Sequence, residues 1–167
     1  MADFTAKNIK SHLVQRFQAP PDKVFPLLCP IREYEWIEGW QCDLLNSDSG
    51  VAEKNCVFRT RLPGAQSDDV WVISHYEPNA RIEFVCVNAL RVKCLFITLT
   101  DNGDGTTRAE NEQLLVGLTE EGNRLLDNMA DSFAFEMRLG EAMLNHYLTT
   151  GNRLPMKDAV AIASKQR

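Results

Sequence analysis

The sequence predicts an α+β domain in which a curved antiparallel sheet of seven strands is packed around a long C-terminal helix. Three observations lead to this prediction. The chain opens with one strand-like and two short helical segments, six further strand-like segments follow with only short turns between them, and the last long segment is amphipathic with a helical period. Hairpin-connected strands with helices kept apart from them are typical of α+β domains.

The N-terminal part predicts one strand and two short helices. A strand is expected over 7–19, where apolar residues alternate. The next segment, 22–28, has a helical pattern that Pro26 must interrupt, because proline lacks the N–H that a helix interior needs. A second short helix is expected over 31–38, where Gly39 closes it.

Turn residues divide the middle of the chain into strands. Clusters of Gly, Pro, Asn, Asp and Ser separate the apolar segments, and all of these connections are too short for a helical crossover. Each neighbouring pair of strands should therefore form an antiparallel hairpin. The predicted strands are 40–46, 55–62, 70–76, 81–88, 92–100 and 106–117.

The segment 118–148 predicts one continuous helix, about 45 Å long at a rise of 1.5 Å per residue. Thr119 precedes two acids as a helix cap would. Glu136 falls within the apolar face, where a carboxylate is costly to desolvate unless it is paired. Gly122 and Gly140 lie near the centre of that face, which indicates either a close strand or room for a ligand. The remaining residues of this face are Leu118, Leu125, Leu126, Met129, Phe133, Met137, Met143, Leu144 and Tyr147.

Composition and charge exclude several classes of function. The net charge of −5 and the lack of a Lys/Arg cluster argue against nucleic-acid binding. No segment has 18 consecutive apolar residues, so no membrane insertion is expected. Five cysteines without C-x-x-C spacing, in a chain without an apolar leader, lead us to expect reduced thiols and a cytoplasmic protein. Residues 1–167 should form one domain, with its core in 8–150 and a tail over 151–167.

Two stretches, together with the element order, resemble a known superfamily. Residues 19–25, A-P-P-D-K-V-F, lead into the first helix, and residues 29–40 are C-P-I-R-E-Y-E-W-I-E-G-W. They resemble the helix-grip superfamily, also called SRPBCC, which includes the START, Bet v 1-like and polyketide cyclase domains. The second stretch is similar to one in a little-characterised bacterial branch of it.

This resemblance covers 9–148 and implies a hydrophobic cavity between the sheet and the last helix. Proteins of this superfamily use the cavity to bind lipids, sterols or polyketides, some are cyclases and others bind partner proteins. A curved sheet is also wider than the helix that it surrounds, which leaves such a space. We therefore expect the partner to be a small hydrophobic or amphipathic molecule, bound without a cofactor.

Aromatic residues near the short helices and central strands are the first candidates for the cavity wall, although core packing is the commoner role of such residues. Strand alternation places Trp71, Ile73 and His75 on one face. The candidate ligand-binding residues are Tyr34, Trp36, Trp40, Phe58, Trp71, Ile73, His75, Phe84, Met129, Phe133, Glu136, Met137 and Gly140.

Two alternatives stay open. In an enzyme of the cyclase or dehydratase kind, Glu136 or His75 would transfer protons in a dry pocket, although no nucleophile–base constellation is present and no metal site is predicted from the spacing of the three histidines. In a protein-interaction module, an exposed apolar patch around Trp36 and Ile37 is expected instead. A solvated face is the default for the acidic residues of the second short helix, although Glu33, beside Tyr34, could instead bond a neighbouring strand and hold this helix over the cavity entrance. The sequence predicts no oligomeric state.

Overall fold

A computed structural model describes residues 4–61, 68–129 and 131–165 of the chain. The strands are β1 (Asn8–Phe17), β2 (Cys42–Asn46), β3 (Val57–Thr60), β4 (Asp69–Glu77), β5 (Arg81–Val87), β6 (Arg91–Asp101) and β7 (Thr107–Gly117). The helices are α1 (Pro21–Val24), α2 (Glu120–Met129), α3 (Ser132–Thr150) and α4 (Met156–Ser164), with 3₁₀ turns at Phe25–Leu28 and Arg32–Glu35.

The seven strands form one antiparallel sheet in the order β1-β7-β6-β5-β4-β3-β2. Each strand from β2 to β7 pairs with its neighbour in sequence, as the short turns predicted. β1 pairs along its whole length with β7, from Asn8 opposite Val116 to Phe17 opposite Thr107. The predicted α+β class and seven-stranded curved sheet are confirmed.

Strand register determines which side chains share the concave face. Phe58 of β3 lies opposite Trp71 of β4, which lies opposite Cys86 of β5, Lys93 of β6 and then Leu115 of β7. Residues that oppose each other in an antiparallel sheet point to the same side. Because Phe58, Cys86 and Leu115 are buried, this row faces the core, and so does Lys93.

A β-bulge at Ser74 changes the phase of β4. Ile73 lies opposite Phe84, but the next paired residue is His75, opposite Glu83, so Ser74 has no partner across the ladder. A bulge inserts one residue and turns the following side chains to the other face. His75 consequently points to the convex surface and Tyr76 takes the inward position. The prediction that His75 shares a face with Trp71 and Ile73 is wrong for this reason.

The long C-terminal helix is divided in two, which the sequence analysis did not predict. α2 ends at Met129 and α3 begins at Ser132, whose hydroxyl donates a hydrogen bond to the Met129 carbonyl at 3.1 Å. Short polar side chains that bond to nearby backbone compete with the helical ladder. Asp131 and Ser132 thus favour an interruption where the apolar periodicity alone predicted continuity.

The two halves cover different strands. α3 packs against β1 and α4, and α2 packs against β7. The amide nitrogen of Gln15 donates to the carbonyl of Met137 at 2.5 Å, and the amide of Asn145 is bonded to the backbone of Arg16 and Gln18. The tail contributes α4, whose Ala159 and Ala163 are buried. These contacts leave the other half of the concave face to the segment between β1 and β2.

The two helix glycines have different surroundings. A Cβ on Gly122 would lie 2.0 Å from the carbonyl oxygen of Leu90, so α2 approaches the β5–β6 turn more closely than any side chain allows. A Cβ on Gly140 would meet only the Gln15 amide, at 3.8 Å. The sequence left two explanations for these glycines, close approach of the sheet or space for a ligand. At Gly122 the explanation is close approach.

No helix in the part of the chain that the structure describes is both long enough and apolar enough to cross a membrane.

Candidate functional site

A small cavity lies on the concave face between β3–β6 and the segment that connects β1 to β2. Its volume is about 100 Å³, and the residues described along its wall are Leu28, Glu33, Trp40, Phe58, Trp71, Phe84, Leu95 and Ile97. All of them belong to the sheet or to the connecting segment. The expected cavity was placed against the C-terminal helix, so the position of this cavity differs from the prediction. It is also smaller than the roughly 300 Å³ at which typical ligand pockets begin.

Three aromatic rings form one wall of the cavity. Phe58 and Trp71 are stacked, with ring centroids 5.8 Å apart and an interplanar angle of 6°. Phe84 lies edge-on to both, at 6.3 Å from Phe58 and 6.2 Å from Trp71. These distances are those of favourable aromatic pairs, and the wall is therefore rigid and apolar.

The indole N–H groups at the cavity are already used. Trp71 donates its Nε1–H to the hydroxyl of Thr60 at 2.9 Å, and Trp40 donates to the carbonyl of Pro30 at 2.8 Å. Both residues consequently present ring carbons to the cavity. Any polar recognition must come from a different residue.

Glu33 is the polar residue of this apolar wall. It belongs to the 3₁₀ turn Arg32–Glu35, and its carboxyl group has no hydrogen-bond partner among the described residues. Burial raises the pKa of this carboxyl group from 4.5 to about 8, because desolvation disfavours the charged form. At neutral pH Glu33 is therefore a neutral carboxylic acid with an O–H group to donate.

Two neighbouring acids, Glu35 in the same turn and Glu38 just after it, hold the outer side of this segment. Glu35 forms two hydrogen bonds with Arg32, at 2.7 and 3.0 Å, and accepts the hydroxyl of Tyr147 at 2.6 Å. Glu38 accepts the backbone N–H of Met156 at 2.6 Å. The turn is thereby attached to α3 and α4 on its outer side, which directs Glu33 toward the sheet.

Lys93 lies beside the cavity on the same concave face. It is half-buried, and its Nζ lies 5.5 Å from the centre of the Trp71 ring. Burial lowers the pKa of its ammonium group, while Glu136 and more weakly Cys86 and Asp69 act in the opposite direction. The thiol of Cys86, which lies between Trp71 and Lys93 in the row, has its pKa raised by burial to about 12. Cys86 is therefore uncharged, and its side chain is small enough for Lys93 to reach across it to the ring of Trp71.

A buried ion pair closes this end of the concave face. Arg91 donates to Asp69 at 2.9 Å, and Asn88 donates to the other oxygen of Asp69 at 2.7 Å. Asp69 is 9% exposed and Arg91 8%. The pair satisfies its own charges, so it acts as a boundary of the site and leaves Lys93 without an ion-pair partner within 4 Å among the described residues.

The structure brings together four of the predicted ligand-binding residues, Trp40, Phe58, Trp71 and Phe84, at this cavity. Others are part of the core: Ile73 is 0% exposed, and Trp36 is buried with its indole N–H bonded to the Leu27 carbonyl. Phe133 is also buried, and Met129, Met137 and Gly140 are half-buried on α2 and α3.

The remaining candidates lie at the surface. Tyr34 is 39% exposed, and its hydroxyl is held by the backbone of Cys42. Glu136 is exposed, so its predicted burial within the apolar face is wrong. It shares a face of α3 with the buried Met143, seven residues later, but it lies near the beginning of the helix, where its side chain is exposed. His75 lies on the convex side, away from the cavity. The expected apolar patch around Trp36 and Ile37 is wrong as well, because Trp36 is buried and Ile37 packs on the core.

Glu33 and Lys93 are absent from the predicted ligand-binding residues. A solvated face was the default for Glu33 because of its charged neighbours, and the alternative placed it over the cavity entrance, bonded to a strand. In β6 both alternating sets of side chains are largely apolar, so alternation did not indicate that Lys93 points inward with Leu95 and Ile97. Only the register with β5 and β7 shows this. Within the described ranges, no group of three His, Cys, Asp or Glu residues is arranged to hold a metal ion.

Comparisons with known proteins identify similar folds only. No model of a protein family matches the chain, and no curated protein matches it. Among solved structures, norcoclaurine synthase from Thalictrum flavum, as a point mutant in complex with a transition-state analogue, has a TM-score of 0.65 at 9% identity, over 90% of this chain and 100% of that one.

Two further structures have the same architecture. DynU16, a protein from the dynemicin biosynthetic locus, has a TM-score of 0.57 at 20% identity; the match covers 86% of this chain but 48% of DynU16, so this chain spans about half the length of that relative. Protein MLL2253 from Mesorhizobium loti has a TM-score of 0.56 at 14% identity, over 95% of this chain and 98% of that one. At these identities the likeness concerns the fold, and the chemistry must be argued from the cavity itself.

Proposed function

We propose that this helix-grip protein binds a small, uncharged and largely apolar molecule in the aromatic cavity, with Glu33 donating a hydrogen bond to one acceptor group of the ligand. The observation that carries the proposal is the neutral carboxylic acid in an otherwise apolar wall. Glu33 is half-buried at the cavity wall, and no described residue bonds its carboxyl group, so binding a ligand there breaks no hydrogen bond within the described structure. A ligand oxygen would supply the missing partner.

The size and chemistry of the wall limit the ligand. A volume of about 100 Å³ accommodates a single ring or a short aliphatic arm. A larger lipid or sterol would need the cavity to open. An anionic group is disfavoured next to Glu33, because it would have to leave water for a site without a cation in the cavity wall.

The tryptophan side chains provide a direct test of binding. We expect benzyl alcohol to shift the indole N–H signals of Trp40 and Trp71 in a ¹H–¹⁵N correlation spectrum. Trp36, which is buried outside the cavity wall, is the internal control and should not move. Benzoate, which has the same ring but carries a charge, should bind at least about tenfold more weakly, a difference of 1.4 kcal/mol.

Two variants connect the binding to the cavity and to the acid. Leu95→Phe adds a ring to the cavity wall and should abolish the shifts, and Glu33→Leu should weaken benzyl alcohol binding by about 0.5–1.5 kcal/mol, the value of one hydrogen bond. In the unmodified protein, affinity should decrease as the pH rises through about 8, since Glu33 then loses the proton that it donates. Equal shifts at all three indoles, or binding that Leu95→Phe leaves unchanged, would refute the proposal.

A second function, acid–base catalysis, is favoured by one observation. A proton donor is most effective when its pKa is close to the working pH, and the pKa of Glu33 is about 8. Glu33 would then take the proton-transfer role that was predicted for Glu136 or His75. If Glu33 is such an acid, turnover of a cavity ligand should be lost in Glu33→Gln, while the affinity for that ligand is largely retained.

A further inference from the structure

Lys93 combines three properties that are rarely found together in a surface lysine. Its side chain is on the concave face, it is half-buried and thus still reachable, and it has no ion-pair partner within 4 Å among the described residues. The ring of Trp71 holds the Nζ at 5.5 Å from its centre, and the buried Cys86 between the two strands leaves the space that this contact requires.

The amine is placed next to the cavity. Leu95 lines the cavity and Lys93 is the next residue of β6 on the same face, about 7 Å along the strand. Trp71 belongs to the cavity wall and also contacts Lys93. A ligand whose apolar arm fills the cavity can therefore extend past Leu95 to the Nζ atom.

The surroundings of the Lys93 Nζ favour an uncharged ligand group next to it over an anionic one. The face of the Trp71 ring carries partial negative charge, and Glu136 and Asp69 act on Lys93 as negative charges from α3 and β4. Arg91, the other cation that acts on Lys93, is already bonded to Asp69. Burial of the ammonium group also increases the fraction of neutral amine, which is the nucleophilic form.

We propose that Lys93 is a carbonyl-reactive amine, which forms an imine with a small aldehyde or ketone whose apolar arm occupies the aromatic cavity. This inference rests on the proposed function of the cavity as a ligand site and adds the class of ligand.

The reaction is a condensation that needs no redox partner. The lone pair of Nζ attacks the carbonyl carbon, and one N–H proton is passed to the carbonyl oxygen to give a carbinolamine. The hydroxyl group then leaves as water after taking up a proton, while the nitrogen releases its remaining proton. The sum is amine plus aldehyde giving imine plus water.

Reductive trapping tests the proposal on the intact chain. The protein is incubated with benzaldehyde and sodium cyanoborohydride at pH 7, and the N-benzyl group is located by peptide mass spectrometry. Lys93 should be labelled at least about tenfold faster than the exposed Lys23 and Lys54, because the cavity holds the aldehyde beside its Nζ and so converts a bimolecular reaction into a local one. Lys93→Arg should remove this fast label and no other.

The controls separate reactivity from ligand binding. Leu95→Phe keeps the amine but fills the cavity, so labelling of Lys93 should fall to the rate of Lys54; Ile97→Phe serves in its place if the first variant does not fold. Fast labelling that persists in the filled cavity would overturn the proposal. If Lys93 is labelled no faster than Lys54 while benzyl alcohol still shifts Trp40 and Trp71, the imine is refuted and the binding function stands. If the shifts are absent too, both are refuted.

Discussion

Glu33, Glu35 and Glu38 are identical in chemistry and lie within six residues, yet their surroundings give them different roles. Glu35 is paired with Arg32 and Tyr147, which lowers the pKa of its carboxyl group. Glu38 accepts a backbone N–H from the start of α4. Of the three, Glu33 faces the aromatic cavity, where desolvation raises the pKa of its carboxyl group to about 8 and keeps it protonated at neutral pH. Its charge state is thus a property of the fold and cannot be read from its neighbours in sequence.

The raised pKa of Glu33 predicts a pH-dependent cost to stability. Between pH 4.5 and about 8 the folded protein keeps a proton that the unfolded chain has released. The free energy of unfolding should therefore decrease as pH rises through this range, by at most about 1.4 kcal/mol per pH unit. In Glu33→Gln this contribution disappears, so the variant should gain stability relative to the unmodified protein from pH 5 to pH 8.

Urea unfolding at pH 5, 6.5 and 8 measures this difference. Glu112→Gln is the matched control, because Glu112 is exposed on β7, and it should follow the pH dependence of the unmodified protein. Parallel curves for Glu33→Gln and the unmodified protein would show that Glu33 is ionised in the folded state.

At the scale of elements, α2 and α3 show how far an apolar period can predict a helix. The period continues through 118–148, but the side-chain-to-backbone bond from Ser132 to Met129 marks an interruption. α2 is then free to follow β7 while α3 follows β1. The apolar face of α3 itself is as predicted, since Phe133, Met143 and Leu144 are buried; Glu136 lies on that face but near the beginning of α3, where it is exposed.

Replacing each of the two helix glycines by alanine should change the stability of the protein in opposite directions. Gly140→Ala should stabilise the protein by about 0.5–1 kcal/mol, because the new methyl group has space and alanine is the better helix former. Gly122→Ala should destabilise it by about 1–3 kcal/mol, the usual cost of overpacking, since its Cβ would lie 2.0 Å from the Leu90 carbonyl oxygen. Thermal unfolding of both variants tests this, and a destabilised Gly140→Ala would contradict the space described there.

At the scale of the whole molecule, the Asp69–Arg91 pair connects β4 to β6 across β5 and closes one end of the concave face. Arg91→Met should cost about 3–5 kcal/mol, because it leaves a buried carboxylate without its charge partner. The double variant Asp69→Leu with Arg91→Met should recover most of this loss, since apolar replacements of a buried pair are often neutral. Urea denaturation of both variants measures the recovery; its absence would show that the fold depends on the pair itself.

Most of the architecture was predictable because strand alternation and turn chemistry are local. The seven strands lie within a few residues of their predicted positions, and the fold is similar to those of DynU16 and norcoclaurine synthase. The site was predictable only in part. Large aromatics such as Trp71 and Phe84 stand out in any sequence, whereas the inward orientation of Glu33 depends on a four-residue 3₁₀ turn and that of Lys93 on pairing with distant strands.

The unpaired Ser74 has a consequence for the interior. Tyr76 packs edge-on against Phe25, with ring centroids 5.2 Å apart at 66°, only because one additional residue offsets the end of β4 by half a period. Deleting Ser74 would remove the bulge and leave both rings on their present faces. If Ser74 stayed but paired regularly with β5, the imidazole of His75 would point into the hydrocarbon beside Phe25 and the phenol of Tyr76 into water. The way in which this one residue is accommodated thus decides whether the imidazole or the phenol of β4 packs against Phe25.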